Sequence, residues 1–560
     1  MSQVPDNPLL RAIDAHRAGH LELAEAGYRQ YLQHHPAQWD VYYYLGNLLA
    51  HQQRREEAIP FLETAAGKGQ VDACYDLACC LEQLGQNQEA QQWLQETLRR
   101  SPDHALALNQ AGRRLNQEGQ FGKARALLLR AVRSRPELAA AHINLAVAHE
   151  ALGDLGSAED SLRVAIALNP ANGGTYISLG NILRRMGRIE AAETAINEGL
   201  RRGGPRTEGL TNLALVHRER RELDNALALL DEALATPPKS PRAAWNRALI
   251  LLEQGSLAEG WEAYESGFDA GTRRRPPTAV PVWQQQPLAD KHIVVSAEQG
   301  LGDEIMFASC LNDLMDQAGE CAVECDPRLI PLYRRSFGAC TLIARDDARA
   351  PAWRDSDLAV ALGSLPRHLR RRLEDFPSVT GFLCADREKR ERWTKRLAVR
   401  SRGIHIGLVW RGGADLGERR KRSIPLHRWG SLLSSLNADY VCLQTGDTEH
   451  ERQQLQRDSG ITLQHWPDVD LHNDIDELAA LLEALDLIIS VDNTIIHLGG
   501  ALGRPVWALL PFAADWRWMG QEHNTVWYPS VRLFRQRRRD DWSAVFDDVA
   551  ASLRRLEPSS

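Results

Sequence analysis

Residues 144–180 read NLAVAHEALGDLGSAEDSLRVAIALNPANGGTYISLG: a helix, a tight turn, a second helix, and the start of a third. Asn144-Leu145-Ala146 returns as Ser178-Leu179-Gly180, 34 residues later. A second small residue, Ala158, follows the first after twelve positions, and Pro170 stands near the end of the unit. Apolar residues spaced three and four apart on either side of Gly153-Asp154 are the mark of two amphipathic helices folded back on each other.

The pattern extends in both directions. Small residues recur at Gly46, Ala78, Gly112, Ala146, Gly180, Ala214 and Ala248, and a second set at Ala58, Ala90, Ala124, Ala158, Ala192, Ala226 and Gly260; from the second member onward each step is 34. Pro102, Pro136, Pro170 and Pro238 close four units, where a ring without an N–H ends a helix at no loss of a bond. One such hairpin cannot bury its apolar face alone, so the copies must stack. The spacing, small-residue columns and terminal prolines together resemble the tetratricopeptide repeat (TPR), with seven or eight copies over residues 1–270.

One column of the array is polar. Gln110, Asn144, Ser178, Asn212 and Asn246 recur at 34-residue intervals, two places before the small residue. Stacking would set them in a ladder along the concave face, where carboxamides, each both donor and acceptor, could hold an extended peptide by its backbone. Solvated polar positions are the other reading. The column resembles the asparagine ladder of O-linked N-acetylglucosamine transferase, with Asn at three of the five places.

The chain is 560 residues, 43% hydrophobic and 25% charged, the composition of ordinary globular material. A net charge of -7 gives no general attraction to nucleic acid or anionic membrane. No run of 18 apolar residues and no leader pattern is present, so the expected location is cytoplasmic, with no transmembrane segment. Nine cysteines form no CxxC pair or zinc spacing and read as small buried residues. Three D-x-D triplets (Asp355/Asp357, Asp468/Asp470, Asp474/Asp476) lie off the ends of the apolar strands, and no metal or cofactor is expected.

Near residue 290 the construction changes. Residues 271–290, rich in Pro and Arg, form a linker or docking segment in which Arg273–Arg275 read as solvated. Short apolar runs then alternate with helical stretches: Ile293–Ser296, Ala322–Glu324, Thr341–Ala344 and Leu358–Leu362, then Ile404–Trp410, Tyr440–Leu443, Leu487–Val491 and Val506–Leu510. This predicts parallel sheets in two α/β lobes, 291–400 and 401–560, with ligands beyond the carboxyl ends of the strands. The final helix, Trp542–Leu556, is expected to cross back to the first lobe.

Two loops stand at such ends. In Glu298-Gln-Gly-Leu-Gly-Asp-Glu304, Gly300 and Gly302 allow close backbone approach, and Asp303 is either a helix cap or a carboxylate placed to take a proton from a hydroxyl. After Val491, the turn Asp492-Asn493-Thr494 opens a helix whose free N–H groups suit a diphosphate, with His497 one turn in. Asp492 as a plain N-cap and His497 as a packing histidine remain open. Trp516, Trp518, Trp527 and Tyr528 read as packing aromatics.

EQGLGDEIMFASCL, GLVWRGG, RKRSIPLHRW, LQTGD, DLIISVDNTIIHLGGALGRPVWALLP, DWRW and WYPSVRLFRQ, in that order, resemble the GT-B glycosyltransferase domain of bacterial TPR proteins, akin to the ADP-heptose:lipopolysaccharide heptosyltransferases. The resemblance implies an α-solenoid followed by a two-lobed, double Rossmann-like GT-B domain. It implies an inverting, metal-independent transfer from a nucleotide sugar with Asp303 as general base. Trp410, Arg411, Asp492, Asn493, Thr494 and His497 would contact the nucleotide and diphosphate, and Arg422 and Ser423 the departing phosphates. Asn493 stands where the heptosyltransferases usually carry Thr, and Gly413 and Ala414 replace a polar residue and Pro. The acceptor so implied is a protein held by the repeats, flagellin among the kinds such enzymes take. A lipopolysaccharide or lipid-linked acceptor, or a scaffold with a degenerate transferase domain, are the alternatives.

Overall fold

The computed structural model describes residues 7–277, 279–345, 347, 349–399, 403–413, 416–520 and 523–555. The chain divides into two compact units, Met1–Arg188 with Thr194–Gly204, and Ile189–Glu193 with Pro205–Ser560.

Sixteen α-helices from Pro8 to Tyr264 pair as eight antiparallel hairpins. The small-residue columns fall at the crossings. A Cβ on Gly46 would stand 2.8 Å from the Leu62 side chain, and one on Gly112 only 2.5 Å from Leu128, so glycine lets the two helices of a hairpin touch. In the second unit Gly260 does the same against Leu252 at 2.7 Å. Helix-ending turns use a left-handed residue every 34 positions, at Gly85, Gly119, Gly153, Gly187, Arg221 and Gly255.

From residue 292 the chain builds two sheets, both wholly parallel. The first holds β1 (His292–Ser296), β2 (Glu320–Cys325), β3 (Thr341–Ala344) and β4 (Leu358–Ala361) in the order β3-β2-β1-β4. The second holds β5 (Ile404–Val409), β6 (Ala438–Cys442), β7 (Leu463–Gln464), β8 (Leu487–Val491), β9 (Val506–Leu510) and β10 (Val531–Arg535) in the order β10-β9-β8-β5-β6-β7. All-parallel strands need both faces covered, which is why β8 and β9 are buried at every position. The eight apolar runs read from the sequence are strands. β7, with two residues, was not among them; β10, at the sheet edge, alternates Arg with apolar side chains, the pattern of an edge strand.

One core runs from the last repeat (Leu252, Trp261, Tyr264) through the first sheet to the helix Thr494–Ala501 and Trp516 and Trp527. Trp261 meets Trp516 and Trp527 edge-on, and its indole N–H donates to the Arg370 carbonyl (2.9 Å). The aromatics after β9 are therefore packing residues, as read.

Two expectations need correction. Of the two readings of the segment after the repeats, linker or docking segment, its contacts are those of a docked one, and Arg273 and Arg274 are not solvated. Val282 bridges to Ala359 beside β4, Trp283 is buried, and the Arg273 side chain is fully enclosed. Arg273 donates to both oxygens of Glu298 (2.7 and 3.0 Å) and to Ser364 Oγ (2.8 Å), and it pairs with Glu265 (2.8 Å). Arg274 pairs with buried Glu324, and only Arg275 is exposed as expected. Secondly, the final helix, Ser543–Leu553, stays with the second sheet, packing on β10 and on Trp429 through Phe546. Its apolar face, Val545, Val549 and Leu553, is matched there and has no reason to cross.

Candidate functional site

The strand orders fix where a crevice opens. In the first sheet, β2 and β4 flank β1; in the second, β6 and β8 flank β5. The connections leaving the central strands therefore part to opposite sides, at the topological switch points where ligands bind in open α/β sheets. The loop after β1 carries residues 297–303, the loop after β5 residues 410–413, and the loop after β8 residues 492–494. All three line one cavity of about 710 Å3, with Gly300, Gly302, Asp303, Arg411, Arg422, Asp492, Asn493, Thr494 and His497 on its wall.

The close approach is made by glycines. A Cβ on Gly302 would lie 3.1 Å from His497 Cδ2 and 3.5 Å from Thr494 Oγ1, and one on Gly412 would lie 2.3 Å from the Asp492 carbonyl. Gly413 sits at φ +91°, with the Arg419 amide 2.5 Å from where its Cβ would be. That explains glycine at 413; Ala414 lies outside the described residues.

Asp303 does not cap its helix. Gly300 is the N-cap of Leu301–Phe307, and the Asp303 carboxylate, in the first turn, accepts from Arg517 Nε (2.6 Å). Arg517 also pairs with Asp515, Asp515 lies 3.2 Å from Arg422, and Arg422 lies 3.2 Å from Asp492. Three carboxylates and two guanidiniums thus alternate, all but Asp515 on the cavity wall. Burial alone would raise the Asp515 carboxyl, but the guanidiniums of Arg517, Arg422 and Arg218 outweigh it and hold it well below the usual range. Burial raises Asp492, with Arg422 only partly offsetting it. Burial tends to lower Arg422 and Arg517, yet their carboxylate neighbours push both higher.

The helix Thr494–Ala501 is capped by Asn493, whose Oδ1 accepts from the Ile495 N–H (2.8 Å), and not by Asp492. Asparagine is an excellent N-cap, which accounts for its place there. His497 bonds Tyr528 Oη through Nδ1 (3.0 Å) and stacks on Trp518; burial, then Arg517, drives its pKa down to about 3, so it is a neutral imidazole.

Two residues implied as ligand contacts lie off the cavity wall. Trp410 is fully buried and donates its indole N–H to Glu451 (3.0 Å), a core role. Ser423 Oγ accepts from the Gly412 N–H (3.2 Å) and so braces the loop after β5. Arg411 does line the cavity, steadied by Glu451 (3.3 Å) and the Asp447 carbonyl (3.0 Å). Sequence reasoning missed Arg517 and Asp515. The signal was present in DWRW, an acid and a base interleaved with two tryptophans, but the aromatics drew the reading.

The polar column of the repeats is largely spoken for. Gln110 donates to Glu82 (2.6 Å) and accepts from Cys79, Asn144 donates to Asn109 (2.8 Å), and Asn212 is buried and accepts from Arg242 (3.2 Å). These carboxamides tie neighbouring helices together, which removes Asn212 from any peptide-binding surface. Ser178 and Asn246 are half-buried.

Among the described residues no group of three or more His, Cys, Asp or Glu could hold a metal, and no helix is long and apolar enough to cross a membrane. Of the D-x-D carboxylates, Asp468 pairs with Arg396, Asp474 is an N-cap, and Asp476 pairs with Lys389.

Comparison with known proteins finds tetratricopeptide repeat families at residues 9–73, 71–104, 109–173, 177–241 and 211–271. Such repeats are protein-interaction elements. A protein named FlbA, of Caulobacter vibrioides, is 33% identical over 377 residues, 64% of this chain; the match spans 63% of that relative's length. Among solved structures, pilF of Pseudomonas aeruginosa matches 38% of this chain and 96% of its own at 19% identity, TM-score 0.34. A tetratricopeptide repeat protein of Parabacteroides merdae matches 44% and 97% at 16% identity, TM-score 0.33.

Proposed function

We propose that the chain is an inverting glycosyltransferase of GT-B type, which moves a sugar from a nucleotide sugar to a hydroxyl of a protein presented by the repeats. The observation that supports it most is the meeting, in one cavity, of the Gly300–Asp303 loop with the N-terminus of the helix Thr494–Ala501 and the guanidiniums of Arg422 and Arg517.

In this reading the diphosphate lies against the free N–H groups and dipole end of that helix, facing Arg422 and Arg517. The acceptor oxygen attacks the anomeric carbon as the bond from that carbon to the phosphate oxygen breaks. The hydroxyl proton passes to Asp303, and the nucleoside diphosphate departs with the bonding pair. Negative charge grows on the leaving phosphates, where fixed cations lower the barrier most. Arg517 has a double part: at rest it neutralises Asp303 and Asp515, and a bound diphosphate competes for it, freeing Asp303 to act as base. His497, neutral and held by Tyr528, is a hydrogen-bonding partner for the donor and not a cation. A flagellin subunit is an acceptor of the kind the sequence resemblance implies.

The test uses the full chain with candidate nucleotide sugars. Asp303→Asn should bind the donor as the parent does and lose transfer by roughly 100-fold or more, the loss of a positioned base. Absence of any nucleotide-sugar binding, or transfer by Asp303→Asn at the parent rate, would overturn the reading.

A further inference from the structure

We infer that a second cavity, between the turn of the seventh helical hairpin and the outer edge of the six-stranded sheet, binds a small molecule carrying a diphosphate. It holds about 600 Å3 and shares no lining residue with the first cavity. Arg221, Arg532, Arg535, Arg537, Arg555 and His523 line it; among the described residues the one carboxylate on its wall is Asp548. The volume is that of an ordinary small-ligand site.

Arg532 is oriented at the cavity by a neutral acceptor, which leaves its charge in place. Arg532 donates to the hydroxyl of Ser552 (3.0 Å) and lies over Phe534. Arg535 donates to the Met519 carbonyl (2.9 Å). Arg537 is the member that pairs with Asp548 (2.9 Å). Burial first, and then the proximity of Arg221, push Arg535 down to about 10, against the opposing pull of Glu253 and Asp492. Guanidinium forks match phosphate oxygens in pairs, and a diphosphate has enough oxygens to engage several at once.

The repeat array supplies an independent sign. Gly85, Gly119, Gly153, Gly187 and Gly255 occupy one turn position of the period with φ between +74° and +84°. At the same place this hairpin carries Arg221, at φ +62°, a conformation that L side chains rarely adopt and that glycine takes freely. Gln53 is the other departure, in the second hairpin. The Arg221 side chain passes over Phe512 to the cavity, so the strained backbone delivers a guanidinium there.

Inorganic diphosphate is the probe, titrated calorimetrically into the full chain carrying Arg422→Ala, so that the first cavity is weakened. That chain should still bind diphosphate. Adding Arg221→Gly and Arg555→Ala should weaken binding by roughly tenfold or more, the loss of two charge-assisted contacts. Arg221→Gly restores the residue found in the other turns, so its melting temperature should equal or exceed the parent's, which separates lost binding from lost fold. The inference falls if the Arg422→Ala chain binds no diphosphate, or if the further substitutions leave its affinity unchanged. Neither result depends on whether the first cavity is catalytic.

Discussion

Replacing Arg273 by Met tests how firmly the segment after the repeats is built into the α/β part of the chain. Both side chains of the Arg273–Glu298 pair are 0% exposed, and the guanidinium also reaches Ser364 Oγ and Glu265. Methionine fills much of the volume but leaves Glu298 charged in a site closed to water, its remaining partner the Gly363 N–H at 2.9 Å. Breaking a buried pair in this way costs about 3–5 kcal/mol, whereas removing both charges costs far less. Of the fifteen tryptophans, Trp39 and Trp93 lie in the first compact unit and the rest in the second, so tryptophan emission during urea unfolding reports mainly on the unit concerned. With a urea slope of about 3 kcal/mol per molar or somewhat more for a unit of this size, the midpoint should fall by about 1 M. Adding Glu298→Gln, which keeps the acceptor for Gly363, should restore at least half of the loss. A midpoint shift under about 0.3 M, well short of that expectation, or a double variant as unstable as the two losses summed, would refute the burial argument.

Two further outcomes follow from the site. Gly412→Ala would place a methyl 2.3 Å from the Asp492 carbonyl, and backbone cannot yield as a side chain does; the expected result is a loss of donor affinity of tenfold or more by titration with nucleotide sugar, at a cost of about 1–3 kcal/mol in stability. His497 is held down to about pKa 3 when folded and takes up its proton near 6.5 when unfolded, so the unfolded state binds more protons between those values and stability falls as pH drops through that window. His497→Gln should flatten the decline between pH 6.5 and 4 by up to about 3 kcal/mol, measured by urea midpoints across the range; His368, lowered to about 4, contributes in the same direction in both proteins.

The parts of the molecule that could be read early are those encoded by neighbours. Gly112 faces Leu128 across one hairpin, and β8 is a run of five buried residues, so helix crossings and strands follow from spacing and apolar pattern within a few tens of residues. The loops after β1 and β8 could be named because parallel sheets dictate where ligands sit. The charged residues were read less well. Arg273 looked solvated because its acid, Glu298, lies 25 positions away beyond a strand, and the polar ladder looked free because Glu82, Asn109 and Arg242 are on adjacent helices.

The amino-acid order by itself thus determined the repeat period, the longer strands and the two loops, since each rests on backbone periodicity and on where apolar side chains must go. Folding alone decided that Asp303 meets Arg517, 214 positions along the chain, and that Arg517, Asp515, Arg422 and Asp492 alternate from there. An ion pair has no period: its partner is whichever opposite charge the packed loops bring within a few ångströms, in a place dry enough for the attraction to count.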